Sequence, residues 1–363
     1  MSDLAGGRSS GEPARGVADE ILAGVRADGL LAGGRQVLVM LSGGRDSTCL
    51  LDVAVRVAGA VAVAALHVNY GLRDAARGDE EHCRELCERL AVELTVTRPN
   101  TPTLGNLQAW ARDVRYGAAA QLALTRGGDV AAGHTATDQV ETILYRLASS
   151  PSRRALLGMR PRDGILVRPL LGFTREQTGA YCLERGLAWR DDESNATDAY
   201  ARGRVRHGLV PALREIHPGA EQNVLALAAT LRDEAEVLDA LVDAELAGGA
   251  QIELERLREL PAALARLVVQ RLADQAGGGP TPGTARRLPD ILELRETGAA
   301  HVDLPGGIRA TVLDGVLGFA RTPARETPDR GTPDRGTPAR GTPARETPAR
   351  GTPARETPAR EDP

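Results

Sequence analysis

One stretch of the sequence constrains the fold more than any other, residues 36–58, which read QVLVMLSGGRDSTCLLDVAVRVA. Residues 37–41 are a short aliphatic run that predicts a buried β-strand. Cys49, Leu50 and Val53 then recur at spacings typical of the buried face of a helix. A small polar loop, residues 42–47, therefore joins the carboxyl end of a strand to the start of a helix.

This loop, with the sequence SGGRDS, is predicted to bind an anion. Gly43 and Gly44 tolerate positive φ and close backbone approach, so successive N–H groups can converge on an anion at the positive end of the helix dipole. Ser42 and Ser47 add hydroxyl donors. Asp46 would repel phosphates unless a divalent cation bridges them, and it is therefore a predicted magnesium ligand. An ordinary glycine-rich turn with a helix-capping Asp or Ser is the alternative.

The chain contains no lysine, so all 45 of its basic residues are arginines. A Walker loop needs a lysine after its last glycine, where this sequence has Arg45. A lysine-dependent phosphate loop is thus excluded. The SGGRDS loop instead resembles the loop of the PP-loop ATP pyrophosphatases. That resemblance implies cleavage of ATP between its α and β phosphates, with an adenylated intermediate.

Strand-like and helix-like segments alternate over the first part of the chain. The strands are predicted at residues 37–41, 61–68, 92–97 and 129–133, and the helices at residues 17–31, 78–91, 106–125 and 138–148. This alternation predicts an α/β fold with a doubly wound, mostly parallel sheet. Such sheets bind their ligands at the carboxyl ends of the strands, so the loops after the strands are the places to search.

The remaining chain is predicted to form a second, smaller domain and a tail. The predicted division is a disordered N-terminus at 1–15, an ATP-binding catalytic domain at 16–215, a helical domain with a closing β-hairpin at 216–321, and a disordered tail at 322–363. The tail repeats Thr-Pro-x-Arg-Glu/Gly with a period of five and has no apolar residues beyond Ala and Pro to build a core. Its acids offset much of its arginine charge, which favours a passive role.

Composition narrows the class of protein further. A net charge of −4 is not the footprint of a nucleic-acid binder, although arginines can still cluster on one face. The four cysteines form neither a disulfide framework nor a C-x-x-C metal motif. No apolar run is long enough to span a membrane and no signal peptide is recognisable, so a cytoplasmic protein without a membrane partner is predicted.

Polar residues follow the predicted strands. HVNYGLR at 67–73 ends the second strand, where simple strand-terminal polarity is the alternative to a role in binding. After the fourth strand, the stretch GHTATDQVET contains Asp138 and Glu141, three apart at the start of a helix. Both carboxylates can therefore point the same way and form a cation or ammonium site. Helix-capping acids, which are favoured in a first turn, are the alternative.

Arginines follow a similar pattern. Arg112 and Arg115 lie three apart on one face of the predicted helix at 106–125, and residues 151–172 form an arginine-rich loop. Solvated surface arginines are the usual interpretation of such residues. If the substrate is RNA, the arginines of residues 151–172 are expected to meet its phosphates.

Several of these stretches together resemble the tRNA(Ile)-lysidine synthase family. They occur in the family's order between about residues 36 and 230: SGGRDS, HVNYGLR, NLQAWARDVRY, GHTATDQVET, RPLL at 168–171, WRDDESN at 189–195 and RVRHGLVPAL at 204–213. The resemblance implies a ligase that adenylates carbon 2 of the wobble cytidine in a CAU-anticodon isoleucine tRNA. Free L-lysine then displaces AMP, giving lysidine and changing decoding from AUG to AUA. The implied partners are this tRNA, ATP, Mg²⁺ and lysine, with a homodimer left open.

The resemblance also implies roles for individual residues. ATP binding falls to Ser42, Gly43, Gly44, Arg45, Asp46, Ser47 and His134, and magnesium binding to Asp46. The catalytic residues are Asp46, Arg115, Asp138, Glu141 and Arg206. Of these, the two arginines match positions at which the family's arginines contact ATP. The acidic pair would hold the lysine ammonium and accept its proton, since only the neutral amine is nucleophilic.

Departures from the family pattern and rival functions complete the sequence-based prediction. Tyr70, Thr137 and Gly203 stand where the family usually has histidine, an acid and asparagine. A related PP-loop tRNA thiolase would want cysteine pairs, which this chain lacks. A small-molecule amidotransferase-type ligase would lack the acidic pair. A non-catalytic nucleotide sensor would not need Asp46, Asp138, Glu141 and Arg206.

Overall fold

The computed structural model describes residues 16–31, 34–72, 75–100, 106–190 and 201–322. The predicted disordered N-terminus, the predicted tail from residue 323 onward and residues 191–195 of the WRDDESN stretch lie outside the described residues. The chain divides into two units, one ending at Gly248 and the other beginning at Gly249. None of the described helices has the length and apolarity that crossing a bilayer would require.

A six-stranded, mostly parallel sheet forms the centre of the first unit. Its strands are β1 Val37–Met40, β2 Val63–Val68, β3 Glu93–Thr97, β4 Asp129–Ala131, β5 Arg162–Asp163 and β6 Leu166–Val167. Their order is β3-β2-β1-β4-β6-β5, and every neighbouring pair is parallel except β5 with β6. The predicted α/β class is therefore confirmed. The chain crosses from β3 on one side of β1 to β4 on the other, which places the topological switch point at the end of β1.

Helices cover both faces of this sheet. The helices of the first unit are α1 Val17–Asp28, α2 Arg45–Ala58, α3 Ala76–Arg89, α4 Leu107–Arg126, α5 Ala136–Ser149, α6 Arg175–Glu184, α7 Ala201–Arg204, α8 Val210–Ile216 and α9 Ala220–Leu246. Because strand side chains alternate in direction, Val37 and Val39 of β1 pack in a core with α1, α2, α3 and α6, whereas Leu38 and Met40 pack against α4. The sheet is thus doubly wound, as predicted.

A π-helical turn at residues 205–209 connects α7 to α8. The N–H of Val210 donates to the carbonyl of Val205, five residues back. Pro211 follows, and because proline has no N–H it cannot make the ordinary bond to the carbonyl four residues earlier. The widened turn carries Arg206, and π turns of this kind often occur at functional sites.

The second unit is a mixed structure. It contains the strands β7 Gln251–Glu253, β8 Ala299–Leu304, β9 Ile308–Leu313 and β10 Val316–Arg321 and the helices α10 Leu254–Glu259, α11 Ala262–Gly277 and α12 Leu288–Leu292. The strands form one antiparallel sheet in the order β7-β10-β9-β8. The predicted hairpin corresponds to β8 and β9, and the sheet extends beyond it by two strands.

The division between the units differs from the predicted boundary at residue 216. Helix α9 belongs to the first unit, where Val224 and Leu225 pack against a core that includes Val140 and Leu144 of α5. Helical periodicity showed that α9 has an apolar face, but periodicity does not say which element that face contacts. The tRNA-binding role predicted for the region from 216 onward stays a prediction.

Candidate active site

The turn between β1 and α2 comprises residues 41–44, and residues 45–47 of the predicted loop are the first three residues of α2. Gly43 has φ of +83°, a conformation that favours glycine, and Gly44 is the extended N-cap of α2. The hydroxyl of Ser47 donates to the carbonyl of Gly44 at 2.9 Å and accepts from the N–H of Ser42 at 3.2 Å. Within the described structure no side chain caps the first turn of α2. The N–H groups of that turn are therefore open to a ligand, and the predicted anion binding there stays a prediction.

The loop after β4 packs directly on this turn. A Cβ atom at Gly133 would lie 3.1 Å from the carbonyl carbon and oxygen of Asp46 and 3.2 Å from the nitrogen of Ser47. A side chain at Gly133 would push the two backbones apart by a few tenths of an ångström. The carboxyl ends of the neighbouring strands β1 and β4 thus bring the anion-binding turn and the start of α5 into one site.

Asp138 has both of the roles weighed from the sequence. Its Oδ2 accepts hydrogen bonds from the N–H and the hydroxyl of Thr135, each at 2.9 Å, and completes a capping box at the start of α5. Its Oδ1 faces the site and accepts from Nη2 of Arg175 at 3.2 Å. The capping interpretation therefore holds for one carboxylate oxygen, and the other oxygen remains directed at the site.

Glu141, one turn further along α5, is fully buried and paired with Arg206. Nε and Nη2 of Arg206 donate to its two oxygens at 2.6 and 2.9 Å. This two-point contact compensates a carboxylate that would otherwise be unpaired in the interior. The hydrogen bonds from Arg206 to Glu141 also raise the pKa of that guanidinium above its usual value. Arg206 stays charged.

Asp46 faces the same group of side chains from the start of α2. Its carboxylate accepts a hydrogen bond from the hydroxyl of Thr178, and Nε of Arg175 lies 3.4 Å from its Oδ2. Burial raises the pKa of Asp46, and Thr178 and Arg175 oppose that shift. A single partly exposed carboxylate beside an anion-binding turn suits a Mg²⁺ ion that takes its other ligands from phosphates and water.

Arg175 and Thr178 were missed by the sequence analysis. The capping box formed by Thr174 and Gln177 does mark the start of α6 in the sequence, which puts Arg175 at the first helical position. The N–H of Arg175 donates to the hydroxyl of Thr137 at 3.1 Å, so a residue that departs from the family pattern helps to hold this helix end. Nothing in the local sequence indicated that α6 begins beside α2 and α5.

His134 and Arg115 have buried nitrogens without a hydrogen-bond partner in the described structure. These are Nδ1 of His134 and Nε of Arg115. Burial lowers the pKa of His134 to about 4, and nearby arginines add to the shift while Asp138 opposes it. The guanidinium carbon of Arg115 lies 5.7 Å from the centre of the Tyr116 ring. Both residues border the site with unused hydrogen-bonding capacity, which a bound ligand could satisfy.

Three residues of the HVNYGLR stretch make hydrogen bonds to neighbouring elements of the fold. Nδ1 of His67 lies 2.9 Å from the carbonyl oxygen of Leu41, and the amide of Asn69 donates to Glu80 at 2.9 Å. The hydroxyl of Tyr70 donates to a carbonyl of α4 at 2.8 Å. These contacts tie the end of β2 to the elements around it. They support strand-terminal polarity, the alternative weighed from the sequence.

A group of arginines borders the site, and of these Arg168 is buried. We define the arginine cluster as Arg112 of α4, Arg146 of α5, Arg168 after β6 and Arg202 of α7. Arg146 donates to the carbonyl of Gly158 at 2.8 Å and Arg168 to a carbonyl at 2.6 Å, so neutral oxygens hold these two guanidiniums. Burial lowers the pKa of Arg146, and Arg202 and Arg112 lower it further through like-charge repulsion. The cluster thus has an excess of positive charge that suits a polyanion.

Comparisons with known proteins show the family of this chain. A family model described as a PP-loop domain matches residues 18–213. A tRNA(Ile)-lysidine synthase from Solibacter usitatus is 35% identical over 291 residues, which cover 76% of this chain and 66% of that protein. A tRNA(Ile)-lysidine synthase from Mycolicibacterium paratuberculosis is 37% identical over 299 residues, covering 79% of this chain and 91% of that protein. The chain therefore spans about two thirds of the length of the first relative and most of the second.

A solved structure supports the fold alone. The U34-tRNA thiolase from Methanococcus maripaludis, determined with its 4Fe-4S cluster, superposes with a TM-score of 0.51 at 14% identity. The match covers 59% of this chain and 79% of the thiolase.

The contact between the two loops can be tested at Gly133. A Gly133→Ala substitution forces backbone apart around Asp46, at a strain of about 1–3 kcal/mol. We expect the affinity for MgATP to fall about tenfold, as measured by isothermal titration calorimetry. Gly117→Ala is the matched control, because nothing lies within 4 Å of a Cβ at that position in α4. Equal affinities of the two variants would contradict the role of the contact.

The neutral state of His134 can be tested by the pH dependence of stability. Because its folded pKa of about 4 lies below the usual value of 6.5, the unfolded chain binds the proton more readily. The stabilising contribution is therefore present above about pH 6.5 and is lost as the pH falls toward 4. Between about pH 6.5 and pH 4, protonation of His134 should lower the free energy of unfolding of the wild type by up to about 3 kcal/mol. We expect His134→Gln to lack this decrease, as measured by urea unfolding at a series of pH values. The exposed-residue variant His301→Gln should retain the wild-type dependence.

Proposed function

The chain belongs to the tRNA(Ile)-lysidine synthase family of PP-loop proteins, and from that premise we propose that it ligates free L-lysine to carbon 2 of the wobble cytidine in CAU-anticodon tRNA(Ile). ATP is the co-substrate and is cleaved to AMP and diphosphate. The product, lysidine, changes decoding from AUG to AUA. These substrates are cytoplasmic, so the proposal includes a cytoplasmic location, and a homodimer stays a prediction.

One observation carries the proposal. The carboxylate of the phosphate-binding turn, Asp46, and the acidic pair Asp138 and Glu141 lie around one guanidinium, that of Arg175, within 3.2 to 3.9 Å of its nitrogens. A nucleotide on the turn and an ammonium at the acidic pair would therefore be neighbours. A reaction that first activates a base with ATP and then attacks it with an amine needs this adjacency.

In the proposed first step, O2 of the wobble cytidine attacks the α-phosphorus of ATP. The new O–P bond forms as the bond from the α-phosphorus to the bridging oxygen breaks, and diphosphate leaves with that electron pair. The open N–H groups of the 42–47 turn hold the phosphates, and Arg115 and Arg206 stabilise the charge that develops on them. Mg²⁺ bound at Asp46, when present, neutralises the diphosphate leaving group.

In the proposed second step, the side-chain amine of lysine attacks carbon 2 of the adenylated cytidine. The carbon–nitrogen bond forms, and the carbon–oxygen bond to AMP breaks. Asp138 and Glu141 orient the ammonium, and Asp138 accepts the proton that makes the amine nucleophilic. His134 is neutral at physiological pH, so it is suited to hydrogen-bond a base or a phosphate ester without adding charge.

RNA contacts form the third part of the proposal. The arginine cluster borders the acidic pair, since Nε of Arg202 lies 3.8 Å from Oε2 of Glu141. Phosphates of the anticodon loop would supply the negative charge that this surface lacks. The second unit, which lies outside the PP-loop match, is proposed to contact the same tRNA.

A PP-loop tRNA thiolase is the alternative function. Its chemistry needs reactive thiols or cluster ligands, and all four cysteines of this chain are buried in one core. Burial raises the pKa of Cys83 and of Cys87 to about 12, so these thiols are neutral at physiological pH. Among the described residues, no group of three His, Cys, Asp or Glu side chains could hold a metal. The ligase function is therefore better supported.

The reaction can be tested by transfer of labelled lysine to a CAU-anticodon tRNA(Ile) transcript with ATP and Mg²⁺. We expect incorporation that requires ATP and is lost when the wobble cytidine is replaced. Asp138→Asn should lower lysine transfer by a factor on the order of 10² to 10⁴, because the proton acceptor is lost, while ATP-dependent diphosphate release continues.

Two outcomes of this assay would contradict the proposal. If the wild-type protein released diphosphate without transferring lysine, lysine would not be the second nucleophile. Sulfur or ammonia donors would then be tried. Normal lysine transfer by Asp138→Asn would remove the acidic pair from the second step.

The RNA surface can be tested by salt dependence. Arg112→Ala and Arg146→Ala should each weaken tRNA binding and lower the slope of log affinity against log salt by about 0.7, the value for one single-strand phosphate contact. Filter binding at a series of salt concentrations measures both quantities. Arg126→Ala is the matched control on α4, because that guanidinium is already paired with Glu93 at 2.6 Å. An unchanged slope in Arg112→Ala and Arg146→Ala would contradict the assignment.

A further inference from the structure

Arg175 makes an unusual set of contacts at the start of α6. Each of its three guanidinium nitrogens faces a different carboxylate: Nε lies 3.4 Å from Asp46, Nη2 lies 3.2 Å from Asp138 and Nη1 lies 3.9 Å from Glu141. One cation therefore spans the proposed nucleotide and lysine subsites. The guanidinium lies where the substrate ammonium is proposed to bind.

Every oxygen of the acidic pair already accepts at least one hydrogen bond in this arrangement. Oδ2 of Asp138 is occupied by Thr135, and its Oδ1 by Arg175. Both oxygens of Glu141 are occupied by Arg206. An ammonium group needs up to three acceptors and an uncompensated negative charge. Arg175 and Arg206 already compensate the charge of the pair, so an ammonium binds there favourably once one of the two guanidiniums has moved.

Arg175 is the guanidinium that can move at lower cost. Arg206 holds Glu141 by two short, parallel hydrogen bonds, and its departure would leave a fully buried carboxylate without its main partner. Arg175 makes single, longer contacts to each acid. Its backbone is fixed by the bond to Thr137 and by the capping box of α6, so only the side chain has to move.

The phosphate-binding turn supplies a reason for the movement. Asp46 lies at that turn, and Arg175 is already in contact with it. Triphosphate held by the N–H groups of the turn would bring several negative charges within reach of the guanidinium and attract it away from Asp138. A divalent cation at Asp46 would repel it from that carboxylate.

We propose that Arg175 is a positioning residue that occupies the ammonium site until a nucleotide binds, so that ATP opens the site for lysine. This inference rests on the proposed function. It requires positive coupling between the two ligands, and such coupling must be reciprocal. Lysine affinity therefore reports the position of Arg175 without any chemical step.

The test is equilibrium dialysis of labelled lysine with the full chain. The CAU-anticodon transcript is present in both arms. Only one arm contains Mg²⁺ and α,β-methylene ATP, a nucleotide that cannot transfer its adenylate to the base. In the wild type we expect the nucleotide to tighten lysine binding about tenfold or more. In Arg175→Ala and Arg175→Gln we expect lysine to bind without nucleotide, and the ratio between the two arms to fall to near one.

Controls separate this role from a structural one. Arg185→Ala removes a guanidinium from the other end of α6, where it lies 3.5 Å from Asp52, and should keep the wild-type ratio. Arg175→Lys keeps a cation at the site and should restore part of the nucleotide dependence. Circular dichroism and binding of the ATP analogue verify that each variant is folded.

The outcomes distinguish the inference from the proposed function. Lysine binding by the wild type that does not respond to the nucleotide would overturn the inference alone. A wild-type ratio retained in both Arg175→Ala and Arg175→Gln would also overturn it. No lysine binding by the wild type in either arm would contradict the proposed function itself, and the inference with it.

Discussion

A fully buried carboxylate has to be paired with a cation, and the pairing of Glu141 with Arg206 organises the candidate active site. Arg206 can reach Glu141 because the π turn before Pro211 carries it, while Val205 and Val210 pack into the core formed with α5 and α9. Helix α9 belongs to the same unit as the sheet and packs against this core. It supports the turn that holds the cation.

The sheet places the loop after β4, which leads to Asp138, beside the turn after β1, which leads to Asp46. Strands β1 and β4 are parallel neighbours, so the loops that follow them leave the same edge. Gly133 lets these loops touch along their backbones, and Asp46 and Asp138 consequently face a common space. Arg175 of α6 then contacts both carboxylates, because the N-terminus of α6 is fixed to Thr137.

All 45 basic residues of this protein are arginines, since the chain has no lysine. Around the acids, guanidiniums form close pairs with carboxylates. In the arginine cluster, by contrast, Arg146 and Arg168 are held by carbonyl oxygens, which leave their charge uncompensated. The net charge of −4 hid this division, because total charge says nothing about where the charges lie. Two neighbouring surfaces with different charge balances suit a cationic amino acid and a polyanionic RNA.

The sequence by itself determined the alternation of strands and helices, the phosphate-binding turn at 42–47 and the spacing of Asp138 and Glu141, because each depends on residues within one or two turns of one another. Only the tertiary structure decided that Arg175 and Thr178 contact Asp46, that Arg206 is bound to Glu141, and that α9 packs on α5. These contacts join residues far apart in the chain. Helical periodicity marks an apolar face, and a capping box marks a helix start, but neither specifies the element that lies opposite, since packing of the whole sheet determines that partner.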